Sequence, residues 1–208
     1  MKAFANIPAQ IPRSGIREIM DLAWAVEKTG EVIHLEVGQP DFDTPSHIVE
    51  ATCRYANAGN TKYVPNAGVD PLREAAARYF ERNTGIATGA NNILVTPGAV
   101  MSVATSFLAL LEPGDEVLLP DPGWPNYHMA VSIVHGKSVF YNLRAENHFL
   151  PDLDEIECLV SAKTKLILLC TPSNPTGQVY DEALMRDLIQ FAQRHDLWVL
   201  SDEIYGDI

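Results

Sequence analysis

Residues 166–177 read Leu166-Ile167-Leu168-Leu169-Cys170-Thr171-Pro172-Ser173-Asn174-Pro175-Thr176-Gly177. An apolar run too short for an independent helix passes directly into a dense cluster of turn formers. That pattern marks a strand buried on both faces, the kind found in parallel sheets. It recurs to either side. Asn92–Thr96, Glu116–Leu119, Ser138–Asn142 and Leu197–Ser201 read as further strands. Helical spacing fills the intervals over Gly98–Leu111, Pro125–Val134, Asp152–Val160 and Asp181–Arg194. Strands alternating with helices imply βαβ units and a parallel sheet covered on both faces.

Upstream the pattern is less regular. Pro8 and Pro12 belong to an irregular arm, and Ser14 precedes helical spacing that stops at Gly30. Val32–Val37 alternates as a short strand. Thr44-Pro45-Ser46 and Asp70-Pro71 open two more helices that end near Ala58 and Gly85. The expected fold is α/β, a three-layer α/β/α arrangement around a mostly parallel sheet. Residues 1–44 are expected to form an arm and part of a small domain, and 45–208 part of a large one.

Composition narrows the function. The chain has 208 residues, 47% hydrophobic and 20% charged, an ordinary globular balance. Fifteen Lys and Arg stand against 27 Asp and Glu, a net charge of -12. Duplex binding needs clustered cations to neutralise phosphates, so nucleic acid is not an expected partner. Anionic membrane surfaces are disfavoured for the same reason, and no apolar run is long enough to span a bilayer. Cys53, Cys158 and Cys170 show neither CxxC nor zinc spacing, and the histidines show no metal spacing. No metal is expected. The thiols are read as small core hydrophobes in a reducing, cytoplasmic compartment.

In an open parallel sheet, ligands bind beyond the carboxyl ends of the strands. At that edge the amides of Gly98, Ala99 and Val100 open a helix and form a phosphate cradle, or an ordinary βα turn. Trp124 follows Asp121-Pro122-Gly123, placed either to stack on a planar ring or to cover a core edge. Asn174, between Ser173 and Pro175, offers a free amide, in what is otherwise a tight loop. Asp202 follows the apolar pair Val199-Leu200, so its carboxylate is desolvated and needs a donor or cation, or caps the next helix. Phosphate cradle, stacking ring, donor amide and buried carboxylate together suit one ligand, a pyridinium phosphate.

The motifs run in a familiar order: Gly38-Gln39-Pro40-Asp41-Phe42-Asp43-Thr44-Pro45, Lys62-Tyr63, Gly68 with Leu72-Arg73-Glu74, and Val95-Thr96-Pro97-Gly98-Ala99. Pro113-Gly114-Asp115-Glu116-Val117, Trp124-Pro125 with Tyr127, Ser173–Gly177 and Ser201-Asp202-Glu203-Ile204-Tyr205 follow. In these the chain resembles the N-terminal half of the class I/II aminotransferases, fold-type I enzymes that use pyridoxal 5'-phosphate. The resemblance implies transfer of an amino group between an amino acid and a 2-oxo acid by a homodimer. It implies the phosphate at Gly98, Ala99 and Val100, the ring against Trp124, and the phenolic oxygen at Asn174 and Tyr205. Asp202 faces the ring nitrogen and Tyr63 reaches the phosphate of a neighbouring subunit. Gly38, Trp124 and Asn174 serve the substrate, and the arm crosses the dimer interface.

The family's Schiff-base lysine has no counterpart among Lys2, Lys28, Lys62, Lys137, Lys163 and Lys165, and its position is expected beyond Ile208. Transamination needs that lysine as anchor and base. Residues 1–208 alone are therefore expected to be inactive. Strand Asn92–Thr96 is expected to lack its usual neighbours, which makes the isolated chain poorly stable. A carbon–sulfur lyase of the same fold type shares every motif quoted. A non-catalytic pyridoxal-phosphate-binding regulator would share the fold, but the N-terminus carries no basic helix-turn-helix pattern.

Overall fold

The computed structural model describes residues 14–207 together with Asn6 and Ile11. The remainder of the arm read over Met1–Arg13 lies outside the described residues. The chain divides between Pro97 and Gly98 into two compact units.

The first unit carries helices α1 (Gly15–Glu27), α2 (Ser46–Asn57) and α3 (Asp70–Thr84), then a 3-10 turn at Ala90–Asn92. Pro71 sits in the first turn of α3, where its missing N–H costs nothing. Gly85 ends the helix at φ +72°, and its N–H donates to the Glu81 carbonyl at 2.8 Å. Arg73 ties this helix to the chain that follows. Its Nε donates to the Ile93 carbonyl at 3.1 Å and its Nη2 to the Ala90 carbonyl at 2.7 Å. Gly68 (φ +99°) lies under the same segment, and a Cβ there would stand 2.7 Å from Val95 Cγ2.

Two expected strands of this unit are absent. Val32–Val37 has no strand partner among the described residues, and Ile33 and Leu35 are 83% and 87% exposed. Asn92–Thr96 is not a strand either: the Val95 N–H donates to Ala67 O at 3.0 Å, and Ile93 O is taken by Arg73. Apolar alternation gives a segment the capacity to pair, but a ladder needs a second strand alongside.

The second unit runs α4 (Ala99–Leu110), β1 (Glu116–Asp121), α5 (Pro125–Ile133), β2 (Lys137–Asn142) and α6 (Leu153–Leu159). It continues with β3 (Thr164–Cys170), α7 (Glu182–Arg194) and β4 (Trp198–Asp202). The four strands form one parallel sheet in the order β2-β1-β3-β4. Alternate residues face opposite ways. Val117, Leu119, Leu166, Leu168 and Cys170 meet Val103 and Phe107 of α4 and Ala130 and Val131 of α5. Leu118, Ile167 and Leu169 meet Ile156 of α6 and Leu188 and Phe191 of α7 on the other face. This is the expected three-layer α/β/α arrangement. The apolar run Leu166–Cys170 needs no polar alternation because neither face of β3 meets water.

Caps fix where two of the covering helices start. Asp152 accepts from the Asp154 and Glu155 N–H groups, and Asp181 from that of Leu184 at 2.8 Å. Each such cap is worth about 1 kcal/mol. Of the cysteines only Cys170 is buried. Cys53 and Cys158 are exposed, contrary to the core reading, because each lies on a helix face that the unit leaves uncovered.

At the opposite edge of the sheet from the strand ends considered below, buried Glu116 accepts from Lys137 Nζ at 2.8 Å and from Ser161 Oγ. The lysine contact, then the serine, holds the Glu116 carboxyl below its ordinary value of 4.5. A depressed native pKa stabilises the fold at neutral pH, and that contribution fades as pH falls through the native pKa. Glu116→Gln is expected to lower the urea midpoint at neutral pH and to lower it less as the pH drops below 4.5. Phe107→Ala, which empties a fully buried site, is expected to cost about 3–5 kcal/mol in the same measurement.

Candidate functional site

The chain order sets where a ligand belongs. After β1 and β2 pair, β3 returns to the far side of β1, so the connections leave in opposite directions at the β1/β3 boundary. A crevice opens at such a switch point, outside the carboxyl ends of the strands. The loops there contain three cis X–Pro bonds, at Asp121-Pro122, Thr171-Pro172 and Asn174-Pro175.

Asp202 is the last residue of β4, in register with Cys170 on β3. Its backbone carbonyl accepts from the Thr171 N–H at 3.2 Å, which anchors the strand end. Its side chain is buried, with the residue 8% exposed. Oδ1 accepts from the Ile204 N–H at 3.2 Å, and Oδ2 from the Tyr127 O–H at 2.7 Å. The first bond is a local turn contact of the capping kind, and the second is a donor from across the sheet. The desolvated-carboxylate reading made from the sequence asked for such a donor, whereas the helix-capping reading meets a turn and no helix over residues 203–207.

Tyr127 lies in the first turn of α5, three residues after Trp124, which caps that helix. The two rings meet edge to face with centroids 5.4 Å apart. Trp124 is half-buried and packs against the core on the α4/α5 side. The turn before it is tight, because a Cβ at Gly123 would collide with the Pro120 carbonyl oxygen. Burial pushes the Tyr127 phenol far above its ordinary range, and the neighbouring Cys170 thiol and Asp202 carboxylate push it further. The phenol stays neutral and remains a donor.

A cleft of about 280 Å³ opens at this edge, lined by Ala99, Ser102 and Ser106 of α4 and by Leu200, Asp202 and Ile204 around β4. Ala99 in the first turn of α4 and Asp202 at the end of β4 thus line one cavity. Gly98 caps α4 at φ +86°, ψ 159°, a backbone state open to glycine, and turns the chain so that the next amides begin the helix. Amides of a first helical turn have no acceptor within the helix, and the helix dipole favours an anion there. Ala99 is half-buried, while Gly98 and Val100 are exposed. Asn174 and Tyr205 come together on the neighbouring loops, with Asn174 Nδ2 donating to the Tyr205 hydroxyl at 3.1 Å.

Gly38 and Tyr63 belong to the other unit, where both are exposed. Sequence reading assigned no role to Ser102, Ser106 or the Asp202 contact of Tyr127. The last had one usable signal: a tyrosine one helical turn after Trp124, in a chain whose buried aspartate needed a donor. Among the described residues no group of three or more His, Cys, Asp or Glu is placed to hold a metal ion, and no helix is long and apolar enough to cross a membrane.

The cleft thus brings the first turn of a helix, whose amides have no acceptor within the helix, together with the buried carboxylate-bearing end of β4. Residues 30–208 match the family model described as "Aminotransferase class I and II". The chain is 40% identical over 195 residues to an aspartate aminotransferase of Pyrococcus horikoshii, covering 94% of this chain and 49% of the relative. It is 38% identical over 175 residues to an aspartate/prephenate aminotransferase of Thermus thermophilus, covering 84% and 46%. Among solved structures, the aspartate aminotransferase of Thermus thermophilus with maleate superposes at a TM-score of 0.92, with 33% identity and coverage of 97% and 53%. The alanine aminotransferase of Pyrococcus furiosus superposes at 0.93, with 32% identity and coverage of 98% and 52%. The chain spans about half the length of the curated relatives it matches.

Loss of the Tyr205 hydroxyl removes the acceptor of the Asn174 amide. Tyr205→Phe is expected to leave the fold intact and to broaden the Asn174 side-chain amide resonances in a nitrogen–proton NMR spectrum.

Proposed function

The chain belongs to the class I and II aminotransferases, and from that premise we propose that it is part of a pyridoxal 5'-phosphate-dependent transaminase. The reaction is transfer of an amino group between an amino acid and a 2-oxo acid. The observation that carries the proposal is Asp202, its buried carboxylate held at both oxygens, in a residue that lines the same cleft as the start of α4.

The residues present fit that cofactor. A carboxylate has about four acceptor sites, and the two donors on Asp202 leave room for a ring N–H. An ionised acceptor at that point favours the protonated ring nitrogen. The amides of Gly98, Ala99 and Val100 would take the phosphate, as helix N-termini do. Trp124 would cover the ring face, and Asn174 and Tyr205 would reach the phenolic oxygen from their shared hydrogen bond. Gly38, Trp124 and Asn174 are proposed to hold the substrate, and Tyr63 to reach the phosphate of the other subunit in a homodimer. When bound, the cofactor supplies an electron sink for the carbon that loses its proton. In this reading residues 45–208 belong to the cofactor-binding domain.

A proton-shuttling lysine is also required, and none of the described lysines of the second unit stands at this edge. Lys137 opens β2, and Lys163 and Lys165 lie at the start of β3, all at the opposite end of the sheet from Asp202. Borohydride reduction of residues 1–208 mixed with pyridoxal 5'-phosphate is expected to fix no stoichiometric label on a single lysine. A specific adduct on any of them would overturn this part of the proposal.

In the full-length protein, Asp202→Ala is expected to slow the amino-transfer half-reaction by about 10²–10³-fold, the scale of losing one preorganised electrostatic contact. Near-normal turnover in that variant would remove the ring-nitrogen role from Asp202.

A further inference from the structure

We propose that Tyr127 is a positioning residue that fixes the Asp202 carboxylate as an oriented acceptor for the cofactor's ring N–H. The inference rests on the reading of Asp202 given above. Its basis is geometric. Tyr127 is 2% exposed and its O–H lies 2.7 Å from Asp202 Oδ2. The Ile204 N–H holds the other oxygen. With one donor on each oxygen the carboxylate plane cannot turn freely about its last side-chain torsion. The phenol in turn is held by the edge-to-face contact with Trp124 and by the core that encloses α5. A rigid chain therefore runs from Trp124 through Tyr127 to Asp202, from the proposed stacking ring to the proposed nitrogen partner.

The chemistry explains why the donor is a phenol. Hydrogen bonds to a carboxylate favour its charged form, and an unpaired buried carboxylate tends to take up a proton. A protonated Asp202 would no longer stabilise the protonated ring. Tyr127 supplies the bond without adding a positive charge that would compete with the pyridinium. Because the phenol does not ionise near neutral pH, it donates throughout that range.

The test compares two ligands in the full-length protein: pyridoxal 5'-phosphate and its 1-deaza analogue, which has C–H in place of the ring nitrogen. Equilibrium dissociation constants are measured for the wild type, Tyr127→Phe and Asp202→Asn. Tyr127→Phe keeps the ring and removes only the hydroxyl. The affinity ratio between the two ligands does not depend on how much of the variant is folded. Tyr127→Phe is expected to weaken pyridoxal 5'-phosphate by about 10-fold, the scale of one hydrogen bond to a charged group, and to leave the deaza analogue within twofold of wild type. Equal losses for both ligands would show that Tyr127 only supports the fold, and no loss for either would show that it does nothing at the site; each result overturns the proposal. Asp202→Asn separates the levels. If it changes the ratio while Tyr127→Phe does not, the positioning role fails alone. If Asp202→Asn leaves the ratio at the wild-type value, the ring-nitrogen assignment fails and the role of Tyr127 fails with it.

Discussion

Burial of β3 on both faces is the constraint from which the rest of the second unit follows. Leu166, Leu168 and Cys170 face α4 and α5, while Ile167 and Leu169 face α6 and α7. A strand enclosed in this way pairs with β1 on one side and β4 on the other, and both pairings are parallel. Parallel strands all deliver their carboxyl ends to one edge. Residues as far apart in sequence as Ala99, Tyr127, Asn174 and Asp202 are gathered at that edge by the sheet and not by any local motif.

The sequence shows where this burial occurs. Two runs in the second unit, β1 and β3, are buried on both faces and need only hydrophobic side chains there, a requirement visible residue by residue, whereas β2 and β4 at the ends of the sheet are only partly buried. Val32–Val37 and Asn92–Thr96 have similar patterns and are not strands. Whether a segment pairs depends on a neighbouring strand, and no property of the segment itself reports that neighbour. In the second case the backbone groups go to Arg73 and Ala67. The cysteines show the same limit: hydrophobic character is readable, but the face of α2 or α6 that is left bare is not.

The candidate site was legible in a similar proportion. The apolar pair before Asp202 foretold its burial, and the turn formers after each strand marked the edge. The donor that makes the burial tolerable stands 75 residues away, on the helix after β1. Neither Tyr127 nor Asp202 carries a local sign of the other. What sequence reasoning supplied was the demand for a donor, and the fold supplied the phenol. The acidic balance of the chain is no obstacle to a phosphate, since the groups proposed to hold it are backbone amides at the start of α4.

Every role proposed at this edge depends on Asp202 meeting a protonated ring nitrogen in the cleft it lines with α4. The most direct measurement is the nitrogen NMR chemical shift of pyridoxal 5'-phosphate labelled with nitrogen-15 in the ring, bound to the full-length protein. The expected result is the shift of a protonated pyridinium, persisting to pH values at which the free cofactor has lost that proton. A neutral-pyridine shift, following the same titration as the free cofactor, would contradict the account.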